Sequence, residues 1–146
     1  MQRYVEEGFV VADMVTFSDP KGGYITVSGQ IQCLGGLNID VDKKLRIVDG
    51  SGGNVRVTTS AYSYNVSVSG RGSRLRYDSA HNHRAHHHVH RFDAKGQETS
   101  IVPIHDVNDV PTLGDVIEET RDFYWSPEFS QETDGSDDDS EDGDQT

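Results

Sequence analysis

Residues 24–48 read YITVSGQIQCLGGLNIDVDKKLRIV, and their alternation decides the fold class. Ile25, Val27, Ile31 and Cys33 share one parity, the period-two pattern of a strand with one buried face. Gly35-Gly36 then marks a turn. Leu37, Ile39, Val41, Leu45 and Ile47 repeat the alternation, so 24–33 and 37–48 are read as two long antiparallel strands. Lys43 falls on the apolar parity and is read as marking a bulge or the rim of the sheet.

Working outward, DGSGGN at 49–54 is a flexible hairpin connection. A third strand, 55–68, opens with Val55 and Val57 and then shifts parity to Tyr62, Tyr64, Val66 and Val68, which predicts a bulge near Thr59-Ser60. Gly70-Arg71-Gly72 turns the chain into a fourth strand, 73–78. Fifth and sixth strands follow at 86–93 and 98–104. Thr112 with Asp115 has the spacing of a capping box, and Leu113, Val116, Ile117, Phe123 and Tyr124 recur at helical spacing. The expected architecture is α+β: a curved antiparallel meander of five or six strands with one C-terminal helix packed on it. Residues 1–23 are left as an N-terminal segment in which VVADMVTF has the look of a short strand.

At 146 residues and 33% hydrophobic content, the chain holds one domain with a modest core. No long apolar run and no leader-like start are visible, so a soluble cytoplasmic protein without a membrane partner is expected. The single Cys33 excludes an intrachain disulfide and reads as a small core residue. Net charge is −12, unevenly placed. Residues 126–146 carry nine acids and no Lys or Arg, while the rest of the chain holds 16 acids against 13 bases. Residues 126–146 are therefore expected to be an acidic disordered tail, either solvating the protein or imitating nucleic acid.

Six of the seven histidines fall between residues 81 and 90, in RYDSAHNHRAHHHVHRFD. The cluster is interrupted and mid-chain, unlike a purification tag. On a strand, His86, His88 and His90 share a face, spaced to converge on a metal or an anion, while His87 points the other way with Val89. His81 and His83 are placed to fold over the same face. The candidate metal set is His81, His83, His86, His87, His88 and His90, with zinc or another divalent ion as the ligand-matched cofactor. A solvated, incidentally metal-binding loop accounts for the same spacing. The cupin-like and metallo-β-lactamase patterns fail, since no Glu or Asp stands where they need one.

The second chemical reading is metal-free phosphodiester cleavage. His88 and His90 would act as base and acid, Arg76 would fork onto the phosphate, and Asp78 would orient an imidazole. Arg71, Arg74, Arg76, Arg84 and Arg91 flank the histidines in sequence and give a local basic zone. A nucleic-acid binder ordinarily needs a broader one. Asp78 also reads as a turn residue, and Tyr77 as core.

The order Tyr62-Ser63-Tyr64, Arg76-Tyr77-Asp78, then His87-His88-Val89-His90, then PTLGDVIEE at 111–119 resembles the TumE-type toxin–antitoxin family, especially its haloarchaeal members. In that pattern a YSY-like strand precedes RYDNAH, a HHxH strand follows, and a PTLxEVxEE helix closes the domain. The likeness runs over residues 24–125. It departs at Ser79, where the pattern has Asn. It implies a toxin component paired with a small helix-turn-helix antitoxin, with site residues at Arg76, Tyr77, Asp78, His81, His87, His88 and His90; cleavage of RNA is the expectation drawn from the His/Arg/Asp cluster itself. The competing class is a non-catalytic metal- or partner-binding module. Self-association is compatible with both.

Overall fold

The computed structural model describes residues 2–49, 51–79 and 87–134. In chain order they form α1 (Gln2–Glu6), β1 (Val10–Asp13), β2 (Thr16–Phe17), β3 (Tyr24–Cys33), β4 (Leu37–Asp49), β5 (Val55–Val68), β6 (Gly72–Ser79), β7 (His87–Phe92), β8 (Glu98–Ile104), α2 (Leu113–Tyr124) and α3 (Pro127–Asp134). The sheet is antiparallel and unclosed. β3 to β8 lie side by side in sequence order, and β1 and β2 both pair with β3 at one edge. The α+β class stands, with eight strands where five or six were expected and three helices where one was.

Both extra strands come from the segment the sequence left open. Gly29 makes room for them. Its φ is +144°, and a Cβ there would run into the Met14 carbonyl. The bare backbone lets Met14 donate to the Gln30 carbonyl at 3.0 Å, which carries the chain from β1 into β2 along β3. Tyr4, Phe9 and Val10 are buried, so this segment completes the core. Tyr4 Oη donates to Glu118 Oε1 at 3.0 Å and Arg121 Nη1 to Glu7 Oε2 at 2.7 Å, tying α1 to α2.

One face of the sheet is the core. Ile31, Leu37, Ile39, Val66, Val116 and Ile117 are almost fully buried where α2 crosses β4 and β5. The capping box is present: Thr112 Oγ1 accepts from the Asp115 amide at 3.1 Å and Asp115 Oδ2 accepts from the Thr112 amide at 2.9 Å. The expected bulge is present too. Lys44 pairs with Ala61 and Leu45 with Thr59, leaving Ser60 as the extra residue. Lys43 lies on a regular rung opposite Tyr62, so its parity does not mark that bulge. It is half-buried on the helix side of the sheet.

The tail expected from residue 126 begins instead with α3. Phe129 and Glu132, three apart on one helical face, face the domain. Phe129 packs on Phe123 and Tyr124 with ring centroids 5.3 and 5.7 Å away. Glu132 meets the buried Arg74 at 3.0 Å. One aromatic anchor and one buried ion pair outweigh a composition that otherwise reads as disordered. Residues 135–146 lie outside the described part. None of the described helices is long and apolar enough to cross a membrane.

Candidate functional site

The second face of the sheet, opposite α2, bears the polar residues of the strands. Every second residue of β4 to β8 points to it, and the register lays these residues in rows. Asp40, Asn65, Arg76, His90 and Ile101 form one row, and Asp42, Ser63, Asp78, His88 and Pro103 the next. Arg76, Asp78, His88 and His90, the four residues nominated for catalysis, therefore occupy neighbouring positions of the paired strands β6 and β7. A shallow pocket of about 310 Å³ opens beside them, with Asp42, Lys44, Ser63, Arg76 and Asp78 in its wall.

The contacts within the cluster are specific. His90 Nε2 lies 3.2 Å from Asp78 Oδ1, and its Nδ1 lies 2.6 Å from Glu98 Oε1. Both carboxylates only accept, so a ring protonated on both nitrogens satisfies both, and a neutral ring satisfies one. Asp78 and Glu98 therefore contact the His90 ring from opposite ends. Arg76 Nε lies 3.4 Å from Asp78 Oδ2 yet makes no hydrogen bond, and Asn65 Oδ1 across the rung also has none. The Arg76 guanidinium carbon sits 5.7 Å from the Phe92 ring centroid, a cation–π distance. The His88 and His90 ring centroids are 6.2 Å apart.

Glu98 is the site residue that sequence reasoning missed. Its signal was present: folding 98–104 back on 87–92 as a hairpin pairs Phe92 with Glu98, which brings the carboxylate to the His90 side of the sheet. The flanking arginines, by contrast, disperse. Arg74 is buried against Glu132, Arg71 donates to the Glu132 carbonyl, and Arg91 approaches Glu119 at 3.6 Å. Only Arg76 of the described members stays on the site face, and Arg84 lies outside the described residues. The cations that join it come from elsewhere. Lys44, Arg46 and Arg56 are exposed on the same face of the β4–β5 ribbon, Arg46 two positions beyond Lys44 and Arg56 opposite Val48.

The sheet divides the metal set. His87 lies on the helix side with Val89, where its Nδ1 is 3.0 Å from Tyr62 Oη and its ring stacks on Tyr62 at 5.5 Å. His88 and His90 lie on the other side. Successive strand residues point to opposite faces, so these three cannot share one ion within a strand. His81, His83 and His86 lie outside the described residues. Among the described residues no group of three or more His, Cys, Asp or Glu side chains is arranged to hold a metal ion.

Tyr62 is buried, and burial, reinforced by Tyr64 and Asp78, pushes its hydroxyl up to about 12. It stays protonated at neutral pH and holds His87 on the helix side of the sheet, across from the Arg76–His90 cluster. Tyr77 faces the core side, half-buried against the core cluster, and donates to Glu119 Oε2 at 2.6 Å. Ser79 Oγ accepts from the Tyr62 amide at 3.0 Å, fixing the end of β6 just before the histidine-rich stretch.

No protein-family model, no curated protein and no solved structure matches this chain. The functional reading therefore rests on the chemistry of the site.

Proposed function

We propose that this chain is the toxin-like component of a two-gene module of the TumE type and that it cleaves RNA on the second face of its sheet. The observation that carries the reading is the contiguity of Arg76, Asp78, His88 and His90: a guanidinium, a carboxylate and two imidazoles on adjacent rungs of one ladder. In this mechanism the ribose 2′-oxygen attacks the adjacent phosphorus and the bond to the 5′-oxygen breaks. The products are a 2′,3′-cyclic phosphate and a 5′-hydroxyl. His88 takes the 2′-hydroxyl proton, and His90 delivers one from Nε2 to the leaving oxygen, which requires Nε2 to exchange its 3.2 Å contact with Asp78 for the substrate. Arg76 forks onto the non-bridging oxygens, and its Nε has a donor to spare. Asp78 and Glu98 hold the His90 ring. Lys44, Arg46 and Arg56 add cations along the ribbon, interleaved with Asp40 and Asp42 on the same face, a local rather than a broad basic zone.

The companion antitoxin is a small helix-turn-helix protein in this reading. The alternative, a metal- or partner-binding module, draws on the engagement of both His90 nitrogens. A zinc or similar ion would then rest on His88 and histidines from 81–86. One experiment separates the two. End-labelled RNA is incubated with the purified chain with and without chelator, and 2′,3′-cyclic ends are measured. Cleavage that survives chelator and falls by about 10²-fold or more in His88→Ala and Arg76→Ala supports the nuclease. Undiminished cleavage by both variants overturns the site. No cleavage, together with a chelator-sensitive melting temperature, gives the chain to the binding module.

A further inference from the structure

Lys43 is the only cation among the β4 residues that face the helix side of the sheet, between Val41 and Leu45. It is half-buried, and among the described residues its ammonium has no ion pair and no hydrogen bond. Helix α2 covers this face only as far as Leu113. Beyond it, two cavities of about 310 and 420 Å³ meet at Lys43, Tyr64 and Leu113. The smaller is a trough of Val15, Phe17, Val27, Val41 and Leu45. The larger is walled by Thr59, Ser60, Tyr62 and His87. Asp13 is the one carboxylate lining either cavity among the described residues, and it accepts from the Val15 amide at 3.0 Å instead of reaching Lys43. The trough runs out to Phe17, 72% exposed.

Two local costs coincide here. A half-buried ammonium favours a counter-charge, and an exposed apolar trough favours an apolar occupant. A single ligand type answers both. We propose that the trough binds a medium-chain alkyl carboxylate, its head paired with Lys43 and its chain lying along Val15, Phe17, Val27 and Leu45. The site lies across the sheet from the Arg76–His90 cluster and stands independently of the nuclease reading.

The test uses the full chain and dodecanoate below its micelle concentration, with dodecylammonium as the head-group control, read by calorimetry and thermal melting. Dodecanoate is expected to bind one to one and to raise the melting temperature by roughly 5–10 °C at a hundredfold excess over Kd. Dodecylammonium is expected not to bind. Lys43→Met should fold with an unchanged or higher melting temperature while weakening dodecanoate about tenfold or more. Phe17→Ser, at an exposed position, should weaken the chain contact without unfolding the protein. Absence of binding to the wild type, equal binding of dodecylammonium, or full-strength binding by Lys43→Met overturns the proposal. Binding of an acidic amphipathic peptide without dodecanoate binding also overturns it, and assigns the trough to a protein partner.

Discussion

Arg74 and Glu132 form an ion pair with 3.0 Å between Nε and Oε1, their side chains only 5% and 7% exposed. They are 58 positions apart, and the pair joins the start of β6 to α3. Arg74 also donates to the carbonyls of Ser73 and Ala94, each at 2.9 Å, so the guanidinium is satisfied on several sides while its charge has one partner.

Removing that partner strands the charge. Glu132→Ala is expected to cost about 3 kcal/mol, read as a shifted urea midpoint, because an uncompensated buried cation is more expensive than the pair is favourable. The double variant Arg74→Met/Glu132→Leu should recover most of the loss. Equal stability of Glu132→Ala and wild type would show that α3 does not hold Arg74 in solution.

The same contact locates the boundary of the folded unit. A chain ending at Ser126 loses Phe129 and Glu132 and should melt well below one ending at Asp134. The apolar share alone, a buried Phe, is worth about 2–3 kcal/mol. Matched melting curves would return residues 127–134 to the tail.

Gly29→Ala tests the edge of the sheet. The added methyl meets the Met14 carbonyl and the backbone adopts a φ that L residues avoid. A loss of about 2 kcal/mol or more is expected, with hydrogen exchange rising first in β1 and β2. Neutral behaviour would mean that this edge is not packed on β3.

Alkaline stability follows from buried hydroxyls and a thiol, Tyr62 and Cys33 among them, with Tyr64 and Tyr77 also pushed up by burial. Burial pushes the Cys33 thiol from 9.0 to about 11 and, with Tyr64 and Asp78, the Tyr62 hydroxyl from 10.0 to about 12. Between those limits the unfolded chain has released protons that the folded chain still holds. Stability is therefore intact below about pH 9 and falls as pH rises toward 12. Tyr62→Phe should start lower, through loss of the His87 contact, and decline less steeply above pH 10. Parallel slopes for the two proteins in a melting series would contradict this account.

If the ribbon guides RNA, Arg46→Glu/Arg56→Glu should weaken binding of a short single strand and make its salt dependence shallower by about two counterions. The melting temperature should be unchanged, since both side chains are exposed. Anisotropy titrations at several salt concentrations measure both quantities. Identical slopes would remove the ribbon from the binding surface.

The elements that depend on local period were readable from the chain alone. Alternation located β3 and β4, the parity shift located the Ser60 bulge, and Thr112 with Asp115 announced the start of α2. Cys33 fell where a core residue should. Each of these is set by residues a few positions apart, because strand and helix geometry repeat over two to four residues. Residues 10–17 were legible only as one short strand, since strands of four and two residues are too short to show a period. The catalytic nominations Arg76, Asp78, His88 and His90 did land together, because β6 and β7 pair through one connection and strand parity predicts their shared face.

The tertiary structure alone decided which charges meet. Five arginines near the histidines look equivalent in sequence, yet Arg74 is buried on Glu132 and Arg76 faces the pocket. Arg74 and Arg76 share strand parity, but the β5–β6 register shifts between Val66 and Ser67, so Arg74 leaves the regular ladder and turns inward to a helix from the far end of the chain. Glu98 reaches His90 through hairpin register, and Lys43 is left facing an open trough because α2 begins only at Leu113. Local periodicity determined the strands and their faces. Contacts between distant segments, which depend on register and on where each helix stops, determined what those faces touch.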